Sequence, residues 1–60
     1  MKRLNNETPN EELQAVKKGD MVTDTFSKTG LVESIEIIED ALYRTYVFNL
    51  VTGRTITIKK

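Results

Sequence analysis

The chain contains no cysteine, no histidine and no tryptophan, and only one proline and three glycines among its 60 residues. Without cysteine or histidine, neither a disulfide framework nor a zinc site of the usual donors is available to a domain this short. A chain of this length buries only about 60% of the surface it exposes when unfolded, so its stability margin is thin. The absence of disulfides fits a reducing compartment, and the expectation is a cytoplasmic protein. Long apolar runs are lacking too. The start Met1-Lys2-Arg3-Leu4-Asn5-Asn6-Glu7 has no hydrophobic stretch behind its basic residues, which argues against a signal peptide and against a membrane role. Net charge is also missing, since nine basic and nine acidic side chains cancel. That removes the positive excess by which most nucleic-acid binders attract phosphate.

The charges are unevenly placed. Residues 21–40 carry Asp24, Glu33, Glu36, Glu39 and Asp40 against Lys28, whereas residues 41–60 carry Arg44, Arg54, Lys59 and Lys60 and no acid. The simplest expectation is that oppositely charged strands pair within one sheet.

Residues 1–7 are polar and aperiodic, which predicts a flexible N-terminal tail. Thr8-Pro9-Asn10-Glu11 matches a capping box with proline at the first helical position, and a short helix from about Pro9 to Val16 follows. Glu11 and Glu12 near its start and Lys17 and Lys18 past its end suit the helix dipole. Leu13 and Val16 form one narrow apolar edge, and so short a helix must dock to persist. After Gly19-Asp20 the chain turns to Val, Ile, Thr, Tyr and Phe, predicting strands at about Met21–Phe26, Leu31–Glu39, Tyr43–Leu50 and Arg54–Lys59. Turns are expected at Ser27-Lys28-Thr29-Gly30, around Asp40-Ala41-Leu42, and at Val51-Thr52-Gly53.

The last hairpin allows a sharper argument, because opposed residues share a face. A two-residue loop at Thr52-Gly53 would scatter the apolar residues over both faces. A three-residue loop Val51-Thr52-Gly53, with Gly53 left-handed, sets Phe48 against Ile56 and Tyr46 against Ile58. Pairing Ile35 with Phe48 and Ile37 with Tyr46 then brings Glu39 opposite Arg44. The expected core face is Leu31, Ile35, Ile37, Tyr46, Phe48, Leu50, Ile56 and Ile58. Val32, Ile38 and Val47 fall on the wet face, and Glu33 is a misfit that calls for a bend or an open edge near it. One short helix cannot cover both faces of such a sheet. The fold expected is therefore mainly β: a small SH3-like antiparallel barrel of four to five strands, preceded by a short N-terminal helix, with residues 8–60 forming one domain.

Lys18-Gly19-Asp20-Met21-Val22-Thr23-Asp24 followed by Gly30-Leu31-Val32 resembles the opening of SH3-like small barrels such as KOW and Tudor-like modules. It also resembles small phage and prophage proteins with a Gly-Asp-x-Val-x-Asp start and a later Gly-x-Val. The likeness covers residues 18–32 and implies a fold more than a function.

No set of residues reads as catalytic. Acyl transfer needs a nucleophile with a base, and the serines and threonines here have no histidine to serve them. Glu36, Glu39 and Asp40 would need a cleft to separate their pKa values, and none is expected in so small a barrel. The expectation is a non-enzymatic protein without cofactor, metal or small-molecule substrate. Candidate partner-binding residues are Phe26 and Lys28 near the first β-turn, Val32, Ile38 and Val47 on the wet face, Tyr43 and Arg44, and Arg54. The leading functional expectation is a protein-interaction module, phage-type in its resemblance, that binds a host protein or pairs with itself as a homodimer through the Val32, Ile38 and Val47 face. The alternative is an RNA- or DNA-binding barrel using Tyr43, Arg44, Arg54, Lys59 and Lys60, in which bases stack on rings and phosphates meet cations.

Overall fold

A computed structural model describes residues 2–26 and 28–60. Six elements follow one another: β1 (Lys2–Arg3), α1 (Asn10–Ala15), β2 (Met21–Thr23), β3 (Thr29–Glu39), β4 (Arg44–Leu50) and β5 (Thr55–Lys59). The strands form one mixed sheet in the order β1-β2-β3-β4-β5.

The N-terminus departs most from expectation. Residues 1–7 had no pattern to predict structure, yet Lys2 and Arg3 pair in parallel with Val22 and Thr23. The Leu4 amide donates to the Thr23 carbonyl at 2.8 Å, and the Leu4 side chain is buried in the core. A lone leucine creates no periodicity, which is why the segment reads as a tail. The capping box does not form either. Pro9 occupies the N-cap position, and no side chain caps the helix. The Thr8 hydroxyl instead accepts from the Asn5 amide at 3.0 Å, and the Thr8 amide donates to the Asn5 carbonyl at 3.1 Å. Thr8 thus closes the turn that delivers the chain from Leu4 to the helix. Leu13 and Val16 are buried as the apolar edge required.

Gly19 adopts a φ of 93°, a left-handed conformation that favours glycine. Beside it, the Asp20 carboxylate accepts the Lys17 amide at 2.9 Å and faces the Lys2 ammonium at 3.1 Å. These contacts, the backbone bond first, hold its pKa below the ordinary value. The Gly-Asp pair is therefore explained by local geometry. β2 ends at Thr23 and does not reach Phe26, because the Asp24 carboxylate accepts the amides of Phe26 at 2.9 Å and Lys28 at 2.8 Å and turns the chain. Of the expected turn at 27–30, Ser27 lies outside the described residues, and Thr29 and Gly30 already belong to β3.

The two hairpin registers are those the apolar pattern predicts. Phe48 opposes Ile56 and Tyr46 opposes Ile58. Gly53, with φ 89°, closes the three-residue loop. Ile35 opposes Phe48, Ile37 opposes Tyr46 and Glu39 opposes Arg44. The irregularity anticipated at Glu33 is a β-bulge: Val32 pairs with Leu50 and Ser34 with Asn49, which leaves Glu33 as the extra residue. Its consequence reverses part of the expected core. Before the bulge alternation is shifted by one, so Val32 is 1% exposed and Leu31 is 41% exposed.

The core comprises Leu4, Leu13, Val16, Val22, Val32, Tyr46, Phe48, Leu50, Ile56 and Ile58, with Ile35 packed against it. The expected barrel would close by pairing its end strands. Here the sheet order runs from β1 to β5, and among the described residues no ladder joins these two edges. The segment after β1, Leu4 to Glu7, faces Ile56 to Ile58 of β5 across a groove of about 440 Å³. Near its end the Lys60 ammonium donates to the Asn6 carbonyl at 2.8 Å.

Candidate interaction surface

β2 pairs with β3 only through Thr29 to Leu31, whereas β4 pairs with it to Glu39. Among the described residues, the second half of β3 therefore has a strand on one side and none on the other. This explains a second correction to the expected core. Ile37 lies on the same face as buried Tyr46, its cross-strand partner, yet is 52% exposed. Ile38, on the opposite face, is 58% exposed.

The β3–β4 turn continues this apolar surface. The Asp40 carboxylate accepts the amides of Leu42 at 2.9 Å and Tyr43 at 2.8 Å, and these bonds hold its pKa below the usual value, the Tyr43 amide contributing most. The turn so fixed presents Leu42, 81% exposed, and Tyr43, 53% exposed. Lys59 stands over the Tyr43 ring at 5.9 Å from its centroid, within cation–π range. At the base of the turn Arg44 meets Glu39 at 3.0 Å and donates to the Tyr46 hydroxyl at 3.4 Å. The Tyr46 hydroxyl bond, ahead of the Glu39 charge, raises the Arg44 pKa. Reciprocally the arginine lowers that of Tyr46. Both partners of the ion pair are substantially solvated, so it orients side chains more than it stabilises the fold.

The residues singled out in the sequence do not form one site. Ile38, Tyr43 and Arg44 gather at the hairpin end. Phe26, Lys28 and Arg54 lie at the other end of the sheet, by the β2–β3 and β4–β5 turns; Phe26 is 80% exposed, and the Lys28 ammonium lies 3.5 Å from the Thr55 carbonyl. Val47 is half-buried on the outer face. Val32 is in the core, so the Val32, Ile38 and Val47 patch does not exist as expected; the bulge at Glu33 takes Val32 inward. Of the cations in the nucleic-acid alternative, Arg44, Lys59 and Lys60 share the hairpin end, since Arg44 and Lys60 exchange backbone hydrogen bonds of 3.1 and 2.9 Å. There they stand beside Glu39 and Asp40, and Arg54 is at the far end of β5.

Sequence reasoning missed Ile37, assigned to the core, and Leu42, assigned to a turn. A leucine inside an Asp-Ala-Leu-Tyr turn is itself a signal, since a turn gives it nothing to pack on. A smaller apolar patch joins Met21 and Leu31, opposed across β2 and β3, with Val51, whose amide donates to the Leu31 carbonyl at 2.9 Å.

Among the described residues no three His, Cys, Asp or Glu side chains come together as metal ligands, and no helix is long and apolar enough to cross a membrane. Comparison with known proteins finds no matching family model, no matching curated protein and no matching solved structure.

Proposed function

We propose that the chain is a non-enzymatic protein-binding module and that the end of the β3–β4 hairpin is its contact surface. The observation that carries this reading is the exposure of Ile37, Ile38, Leu42 and Tyr43 together, on both faces and the tip of one hairpin. Exposed apolar side chains gathered at one end of a hairpin and rimmed by charge have the usual character of a protein-binding surface. The aromatic ring with a cation above it suits an anchoring contact, because rigid rings bury much area at small entropic cost. In this reading the curled sheet is an SH3-like small barrel left open between β1 and β5.

The test is a comparison of the wild-type chain with Leu42→Ala/Tyr43→Ala in retention of partners from native lysate, with and without nuclease. Both side chains are exposed, so the double variant is expected to keep its unfolding midpoint, with a stability change of roughly 0.5 kcal/mol or less. Loss of two contact side chains worth about 1 kcal/mol each weakens binding roughly 30-fold. Equal retention by both proteins would sink the assignment of the surface. Retention that nuclease abolishes would favour the RNA- or DNA-binding alternative.

A further inference from the structure

The outward edges of β3 and β5, on either side of β4, carry charge of opposite sign. Arg44 and Lys60 exchange both backbone hydrogen bonds, so by antiparallel alternation Tyr46 with Ile58 and Phe48 with Ile56 do the same. The backbone groups of Thr55, Thr57 and Lys59 then point away from β4. The Asp40 amide donates to the Tyr43 carbonyl, and the same alternation turns Ser34, Glu36 and Ile38 toward β4. The backbone groups of Ile35, Ile37 and Glu39 therefore point outward, beyond the reach of β2. Among the described residues no strand pairs with either edge, and only the Thr55 carbonyl at the start of β5 takes a side-chain partner, the Lys28 ammonium at 3.5 Å; such edges template pairing with another chain.

Their charges are opposite. Residues 33–40 carry Glu33, Glu36, Glu39 and Asp40 with no base, and residues 54–60 carry Arg54, Lys59 and Lys60 with no acid. β4 lies between the two strands, which sets them about 10 Å apart within one molecule, near the Debye length at physiological salt. Apart from Glu39 with Arg44, the acidic strand does not find its counterpart in its own sheet. Pairing β3 with a second β3 would oppose acids, and pairing β5 with a second β5 would oppose bases. Only the mixed pairing brings unlike charges together.

Geometry selects its direction. In a parallel pair a residue whose backbone faces the partner lies opposite one whose backbone faces away, and the two share a face. Ile35 then lies opposite Ile56 of the next copy, Ile37 opposite Ile58 and Glu39 opposite Lys60, with Glu33 toward the Arg54 end. The core faces of the two sheets become continuous, whereas an antiparallel pairing of the same free groups would join a core face to an outer face. The groove of about 440 Å³ bordering Ile56 to Ile58 lies along this edge, and Lys60 would leave the Asn6 carbonyl for Glu39 of the neighbour. We propose that copies of this chain associate head to tail, residues 35–39 of one pairing in parallel with residues 56–60 of the next. This goes beyond the protein-binding reading and stands or falls separately from it, because it uses strand edges and not the Leu42 and Tyr43 tip. Such a contact is heterologous, so it closes into a ring or continues as a filament according to the rotation per copy.

Sedimentation velocity over a concentration series tests the proposal with the wild type, Glu39→Lys, Lys60→Glu and the double variant Glu39→Lys/Lys60→Glu. Both positions lie at the surface end of their strands, so the single variants should remain folded. Expected are association that strengthens with concentration and weakens with salt, dissociation constants about tenfold higher in each single variant, and recovery in the double variant, where the exchanged charges meet again across the interface. A wild type that stays monomeric to roughly millimolar concentration would overturn the proposal. So would association that neither single variant weakens, which would place the contact on another surface.

Discussion

Phe48→Ala is expected to leave the chain largely unfolded at 25 °C. Phe48 is fully buried, lies opposite both Ile35 and Ile56, and stacks on Tyr46 with ring centroids 6.3 Å apart and planes inclined by 6°. It is the point at which three strands bring apolar side chains to one place. Truncating a buried phenylalanine costs about 3–5 kcal/mol, and a single core in a chain this small supplies about the same amount in total. Far-ultraviolet circular dichroism with urea titration is the measurement. A cooperative transition weakened by less than about 1 kcal/mol would contradict the placement of Phe48 at the centre of the core.

Leu4→Ala is expected to cost about 2–4 kcal/mol, while Arg3→Ala, one residue away, should change stability by roughly 0.5 kcal/mol or less. The contrast follows from position: Leu4 is 2% exposed within the core cluster, and Arg3 is exposed on a two-residue strand. Beyond the lost side chain, the substitution loosens the docking of β1 on β2 and of the turn that leads into α1. A flexible tail would show no effect at either residue, so similar midpoints for the two variants would restore the reading of residues 1–7 that the sequence suggests.

The parts of the fold legible in the sequence are those governed by alternation over several residues. Tyr46, Phe48, Leu50, Ile56 and Ile58 recur with period two, and only the three-residue loop ending in Gly53 gathers them on one side, so the register of the last hairpin follows from counting. Ile35, Ile37 and Glu39 extend that register to β3 in the same way. Glu33 breaks the pattern, which reveals an irregularity but not its direction. A bulge shifts alternation on one side only, and here it exchanged Leu31 and Val32 while leaving Ile35 onward in place. Leu4 was illegible because a lone buried leucine leaves no periodic trace. Closure of the sheet was illegible too, since the pattern of a strand reports which face is covered and not whether its edge is paired.

The candidate surface was half legible for a related reason. Ile38, Tyr43 and Arg44 stand where alternation and the turn place them. Ile37 has the pattern of a core residue, and its exposure arises from the length of a different strand: β2 ends too soon to flank it. The bulge at Glu33 is the turning point of β3. It divides β3 into a first half that buries Val32 beneath the sheet and a second half, lacking a neighbour, that presents isoleucines on both faces.

Because the chain has no cysteine of its own, that division can be read directly by thiol labelling of single variants Leu31→Cys, Val32→Cys and Ile38→Cys in the folded protein. The bulged register predicts rapid modification at positions 31 and 38 and protection at 32, released only on unfolding. Protection at 31 with rapid labelling at 32 would mean that alternation runs unbroken through Glu33, and the core built on Val32 would have to be redrawn.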